Sequence, residues 1–163
     1  MIVTSVKLGK SSAFSFAQFI NPHDGVDVLA AYRESFQPSS LYGKPKASIS
    51  VFVLCAEDEE EAHQLAASRH FWRLRLEKGL HGPYPTPEDV ANFPYTPADR
   101  ARMEEIKPYS VVGTPSQVKE GLIAMAKQFE VEEIVVLTIS HDFGKRVRSY
   151  ELVAEALGLE ASL

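Results

Sequence analysis

YSVVGTPSQVKEGL, residues 109–122, reads as the start of a helix, and EEIVVLTIS, residues 132–140, as the strand that follows it. Thr114 stands where a cap belongs, Pro115 suits the first helical turn, and Gln117 lies three residues past the cap, which makes a Thr-x-x-Gln capping box. Val118, Leu122, Met125, Ala126 and Phe129 then recur at helical spacing. The run 132–140 is β-branched and almost continuously apolar, the pattern of a strand buried on both faces. A helix feeding such a strand is the unit of a parallel α/β sheet.

The same alternation extends outward from this stretch. SAFSFAQFI (12–20) is a strand candidate closed by the turn NPHDG (21–25). Residues 26–37 form a helix candidate with Val26, Leu29, Ala30, Arg33 and Phe36 on one side and Pro38 as its stop. ASISVFVLC (47–55) is a second strand, and Asp58 with Glu61 makes a second capping box heading a helix to about Lys78. Residues 79–97 hold five prolines and two glycines, which predicts an irregular insertion. A short helix near 98–107 and the segment PYSVVG lead back to the opening stretch. Past the last strand, Asp142 caps a helix of about 144–157 closed by Gly158.

Buried strands alternating with helices predict parallel pairing through right-handed crossovers. Two architectures fit: an open doubly wound sheet, or part of a (β/α)8 barrel. A complete barrel takes about 250 residues, so this chain supplies about three of its eight units. Periodicity leaves both open.

Composition narrows the function classes. The 163 residues suffice for a single domain, 1–163, with 45% apolar and 24% charged side chains. A net charge of −5 argues against nucleic acid as a partner. The one cysteine, Cys55, excludes an internal disulfide and a multi-cysteine metal site, and no metal site is predicted. No apolar run approaches the ~20 residues of a membrane helix. MIVTSVKLGK lacks the order of a signal peptide, so the cytoplasm is the expected compartment.

Parallel sheets bind ligands at the carboxyl ends of their strands. Here those ends carry Gln18 and Phe19, Cys55, and Ile139, Ser140 and His141. His141 is a candidate proton carrier near neutral pH, or a turn residue ahead of the Asp142 cap. Gln18 suits the edge of a planar heterocycle, or a neighbouring backbone group. Cys55 is a nucleophile or a small buried hydrophobe. Arg73 and Arg75, beside Phe71 and Trp72, form a stacking or phosphate cluster or a solvated helix face. Lys145, Arg146 and Arg148 offer the same choice at a helix start.

SFAQFINP, AAYRESFQPS, VFVLCAEDEEEAHQLAAS, FWRLRLEKG, YSVVGTPSQVKEGL and VLTISHDFGKRVRSYELVAEALGL together resemble the C-terminal part of luciferase-like, flavin-dependent monooxygenases. The likeness runs in order from about Ser12, and VVGTP followed by RSYELVAEA is its most specific pair. It implies a (β/α)8 barrel truncated at the N-terminus, with the strands here as the sixth to eighth. It also implies reduced flavin mononucleotide (FMN) and molecular oxygen as reactants, and a segment 79–97 that covers the active site. Residues 1–10 correspond to the tail of a fifth helix, although Ile2, Val3, Thr4 and Val6 favour a strand. The strand-end rule then puts Gln18, Phe19, Ile139 and Ser140 against the flavin and His141 in the catalytic role.

Three barrel strands alone leave an apolar face and two edges uncovered. That predicts self-association, or a partner chain supplying the N-terminal half, with Phe14, Phe16, Val51, Val53, Val135 and Leu137 becoming buried. Three functional readings result: a flavin monooxygenase acting with such a partner, a non-catalytic oligomeric remnant, and a small α/β enzyme using Cys55 and His141.

Overall fold

The structure, a computed structural model, describes residues 12–159, so the expectation for residues 1–10 lies outside it. Among the described residues, four strands and six α-helices follow in chain order: β1 (Phe14–Ala17), α1 (Gly25–Ser35), β2 (Ala47–Cys55), α2 (Glu59–Glu77), α3 (Pro87–Asn92), α4 (Pro97–Ile106), β3 (Ser110–Gly113), α5 (Pro115–Phe129), β4 (Glu133–Leu137) and α6 (Phe143–Leu157). β1 pairs with β2 in parallel, Phe14 opposite Ala47 through Ala17 opposite Ser50. β2 pairs with β3 in parallel, Phe52 opposite Ser110 through Cys55 opposite Gly113, and β4 also pairs with β2. The class is α/β, in the partial (β/α)8 pattern, with four strands where the sequence predicts about three. The additional strand, β3, is too short for periodicity to reveal and exists through its pairing with β2. Among the described residues no helix is long and apolar enough to cross a membrane.

The described residues fall into two compact units. The first holds those up to Val51 together with Leu122–Val136; the second holds Phe52–Gly121 and those from Leu137 onward.

In the first unit β1 is shorter than predicted. The amides of Ile20 and Asn21 both bond Ala17 O (3.0 and 3.2 Å), which turns the chain at Gln18 and Phe19. The buried side of α1 is Gly25, Val28, Leu29 and Tyr32, and Val26 faces outward, a rotation from the predicted stripe. Tyr32 sets it. Its hydroxyl donates to Ser12 O (2.8 Å) and accepts from Lys46 N–H (3.0 Å), while its ring stacks on Phe14 at 5.3 Å. Arg33, released from the predicted apolar stripe, donates to the carbonyls of Phe129 and Glu130 (2.6 and 2.8 Å) at the end of α5. A cation is favoured there by the helix dipole.

In the second unit Asp58 caps α2, accepting from Glu61 N–H at 2.8 Å. Asp142 caps α6 through Lys145 N–H at 2.9 Å, and Gly158 closes it with φ +66°. Gly121 lets α5 approach β3: a Cβ there would stand 2.8 Å from Val111 Cγ1. Residues 79–97 are not wholly irregular. Thr86 and Thr96 each form a complete capping box, with Asp89 and Asp99, and Pro87 and Pro97 begin the helices α3 and α4. Proline breaks a helix interior but suits its first turn, where no amide partner is required. Phe93 and Tyr95 pack on Phe71 of α2 with ring centroids at 4.8 and 5.7 Å, over a core of Phe71, Leu74 and Ile106.

Strand residues alternate between faces, so burial of every residue from Val51 to Leu54 shows both faces of β2 covered. This corrects the expectation that Val51 and Val53 await a partner. β1 and β4 are more open. Phe14, Phe16 and Leu137 are half-buried, and Val135 is 45% exposed.

Candidate functional site

The second unit concentrates polar groups where β2 and β4 end. Thr138, fully buried, donates through Oγ1 to Val53 O (2.8 Å) and through its amide to Tyr150 Oη (2.9 Å). Ser149 Oγ, one residue earlier on α6, accepts from Cys55 N–H at 2.9 Å. α6 thus locks both strand ends with adjacent side chains. The chain then passes Ile139, whose carbonyl accepts from Tyr84 Oη at 3.2 Å. Tyr84 comes from segment 79–97, so part of that insertion is tied to the end of β4. Burial pushes the Tyr84 phenol up to about 12 against the opposing pull of Arg69, so it stays a neutral donor at physiological pH.

Beside this contact, Ser140 Oγ is shielded from solvent and has no hydrogen-bond partner. A buried hydroxyl without a partner is an unfavourable feature that a bound ligand would relieve. His141 is exposed and precedes the Asp142 cap. Of Ile139, Ser140 and His141, the structure brings Ile139 to Tyr84.

Gln18 and Phe19 belong to the first unit. Gln18 is 5% exposed, and its Nε2 donates to Pro22 O at 3.1 Å, yet its Oε1 is buried without a partner. Gly25 makes the space for it: a Cβ there would meet Phe129 and Phe16 ring carbons at 2.6 and 2.7 Å and Gln18 Oε1 at 2.8 Å. Phe19 is half-buried and donates its amide to Ser50 O at 3.2 Å.

Other candidates resolve differently. Cys55 is 2% exposed and its thiol is raised to about 11, first by burial and then by Glu57, which removes it as a nucleophile and with it the Cys55–His141 enzyme. Arg73 pairs with Glu77 (3.1 Å), Arg148 with Glu57 (2.8 Å) and Lys145 with Glu61, all near the surface. Sequence reading missed Arg69. It is 5% exposed, with its guanidinium over the Phe52 and Trp72 rings at 5.2 and 5.3 Å. Its signal was helical spacing from the buried Ala62 and Ala66. Among the described residues no group of three His, Cys, Asp or Glu could hold a metal ion.

No protein-family model matches the chain. YwcH of Bacillus subtilis (strain 168) is 41% identical over 147 residues, which cover 89% of this chain and 44% of that protein. The luciferase-like monooxygenase of Escherichia coli (strain K12) is 26% identical over 142 residues, 87% of this chain and 42% of its own length. The crystal structure of apo-MsnO8 superposes with a TM-score of 0.85 at 28% identity, covering 98% of this chain and 49% of that one. Over this shared span the chain is similar to luciferase-like monooxygenases. It spans less than half the length of the relatives it matches.

Proposed function

We propose that this chain is part of a luciferase-like monooxygenase acting with reduced FMN and molecular oxygen, and that Ser140 and its neighbours touch the flavin. The observation that carries the reading is the buried, unpartnered Ser140 Oγ beside the Tyr84–Ile139 contact. A flavin ring edge presents donors and acceptors, and a hydroxyl matches either. Oxygen activation is the chemistry that reduced flavin supplies when bound. Ile139 and Tyr84 exclude water, and the exposed His141 exchanges protons with solvent. A partner supplying the rest of the barrel fits the chain's share of its relatives' length.

The test is flavin retention. Purified protein is incubated with FMN, freed of unbound flavin, and read by visible absorbance. Ser140→Ala should weaken retention about five- to tenfold, the loss of one buried hydrogen bond. His141→Ala should leave retention intact and slow turnover in the reconstituted enzyme. Equal retention by native protein and Ser140→Ala overturns the assignment.

A second reading, a non-catalytic oligomer, draws on the exposure of Val135 in β4. An apolar residue exposed on a strand favours pairing with another copy.

A further inference from the structure

We propose that the second unit also holds a binding site for a small carboxylate with an apolar body, seated on Arg75. The turn after α2 and the helix α3 form an open cleft of about 630 Å³ lined by Phe71, Arg75, Leu80, His81, Asp89 and Phe93. Arg75, half-buried in the last turn of α2, lies with its guanidinium 5.8 Å from the centroid of the Phe71 ring. Gly82 approaches the same group closely: a Cβ there would stand 2.5 Å from Nη2 and 3.6 Å from Cζ. The Phe71 ring and the Gly82 backbone flank the guanidinium.

Of the acids around Arg75, Glu77 and Asp99 are engaged elsewhere, and Asp89 feels Arg75 as a nearby charge. Glu77 is held by Arg73 and Arg102, at 3.1 and 2.8 Å, and Asp99 by Lys78. Asp89, within the cleft, accepts from the Thr86 amide and hydroxyl at 2.8 and 2.9 Å. Among the described residues no carboxylate lies within ion-pair distance of Arg75, so its planar fork keeps open donors.

A guanidinium with open donors matches a carboxylate through two parallel N–H···O bonds. Phe71, Phe93 and Leu80 supply apolar wall for a hydrocarbon chain or ring, the usual division of labour in a small-molecule pocket. The negative charge of Asp89 opposes a dianion such as phosphate, so a monoanion fits better. His81 adds a donor at the rim. This site uses none of the groups assigned to flavin, and its test needs no flavin, so either reading can fail alone.

Isothermal titration of the full chain with octanoate and with octanol tests it. Octanoate should bind at least about tenfold tighter than octanol. Arg75→Met should lower octanoate affinity about ten- to a hundredfold and leave octanol unchanged, with an unaltered thermal midpoint. Arg75→Lys should recover part of the loss. Gly82→Val, which displaces the guanidinium, should resemble Arg75→Met. No octanoate binding, equal affinity for the two probes, or full octanoate affinity in Arg75→Met overturns the proposal. Should Arg75→Met fail to fold, the two probes on the native chain decide the matter.

Discussion

Thr138 and His70 show how single buried residues set stability in the second unit. Thr138→Val keeps the shape of the side chain but leaves Val53 O without its 2.8 Å donor. A cost of about 1–3 kcal/mol is expected, read as a lower urea midpoint at unchanged slope. His70 is 3% exposed, its Nε2 has no partner, and its imidazole is depressed from 6.5 to about 4 by burial first, then by Arg69, Lys107 and His63, against Glu104. A base depressed on folding leaves the unfolded chain binding more protons. The stability from a neutral His70 is therefore complete above pH 6.5 and is lost as pH falls toward 4. The loss is at most about 3 kcal/mol. His70→Leu should flatten the urea midpoint across that window; an unchanged acid slope would assign it to other groups.

At the scale of elements, the segment 79–97 behaves as capped helices docked on α2. Thr96→Ala removes the hydroxyl that accepts from Asp99 N–H at 3.2 Å and should cost about 0.5–2 kcal/mol. Limited proteolysis of the native chain should spare 87–92 and 97–106, and Thr96→Ala should speed cleavage near residue 96. Rapid native cleavage inside both helices would contradict the packing of Phe93 and Tyr95 on Phe71. Both Thr-x-x-Asp boxes and both first-turn prolines stand in the sequence. Counting prolines hid them, because the effect of a proline depends on its place in a helix.

For the whole molecule, coverage of β2 on both faces reduces the apolar area left for association, and Val135 on β4 is the exposed large apolar residue within a described strand. Sedimentation equilibrium should show reversible self-association that Val135→Lys abolishes, since a charge on an exposed strand opposes pairing. A mass of 18.1 kDa at every concentration of the native chain would rule self-association out.

The sequence by itself determined what neighbouring residues can settle. β2 and β4 follow from short β-branched runs, and the caps Asp58 and Asp142 and the stop at Gly158 are local chemistry that the structure repeats. The strands themselves were likewise legible but not their ends, since β1 stops at Ala17 and β4 at Leu137, short of the predicted 20 and 140. Tertiary structure alone decided the rest. β3 is a strand because Phe52–Cys55 lies beside it, and α1 is turned because the Tyr32 hydroxyl reaches Ser12 and Lys46. The burial of Arg69, the missing partner of Ser140 Oγ and the open donors of Arg75 depend on groups distant in the chain. Hydrogen bonds and solvent exclusion between such groups leave no periodicity for a sequence to display.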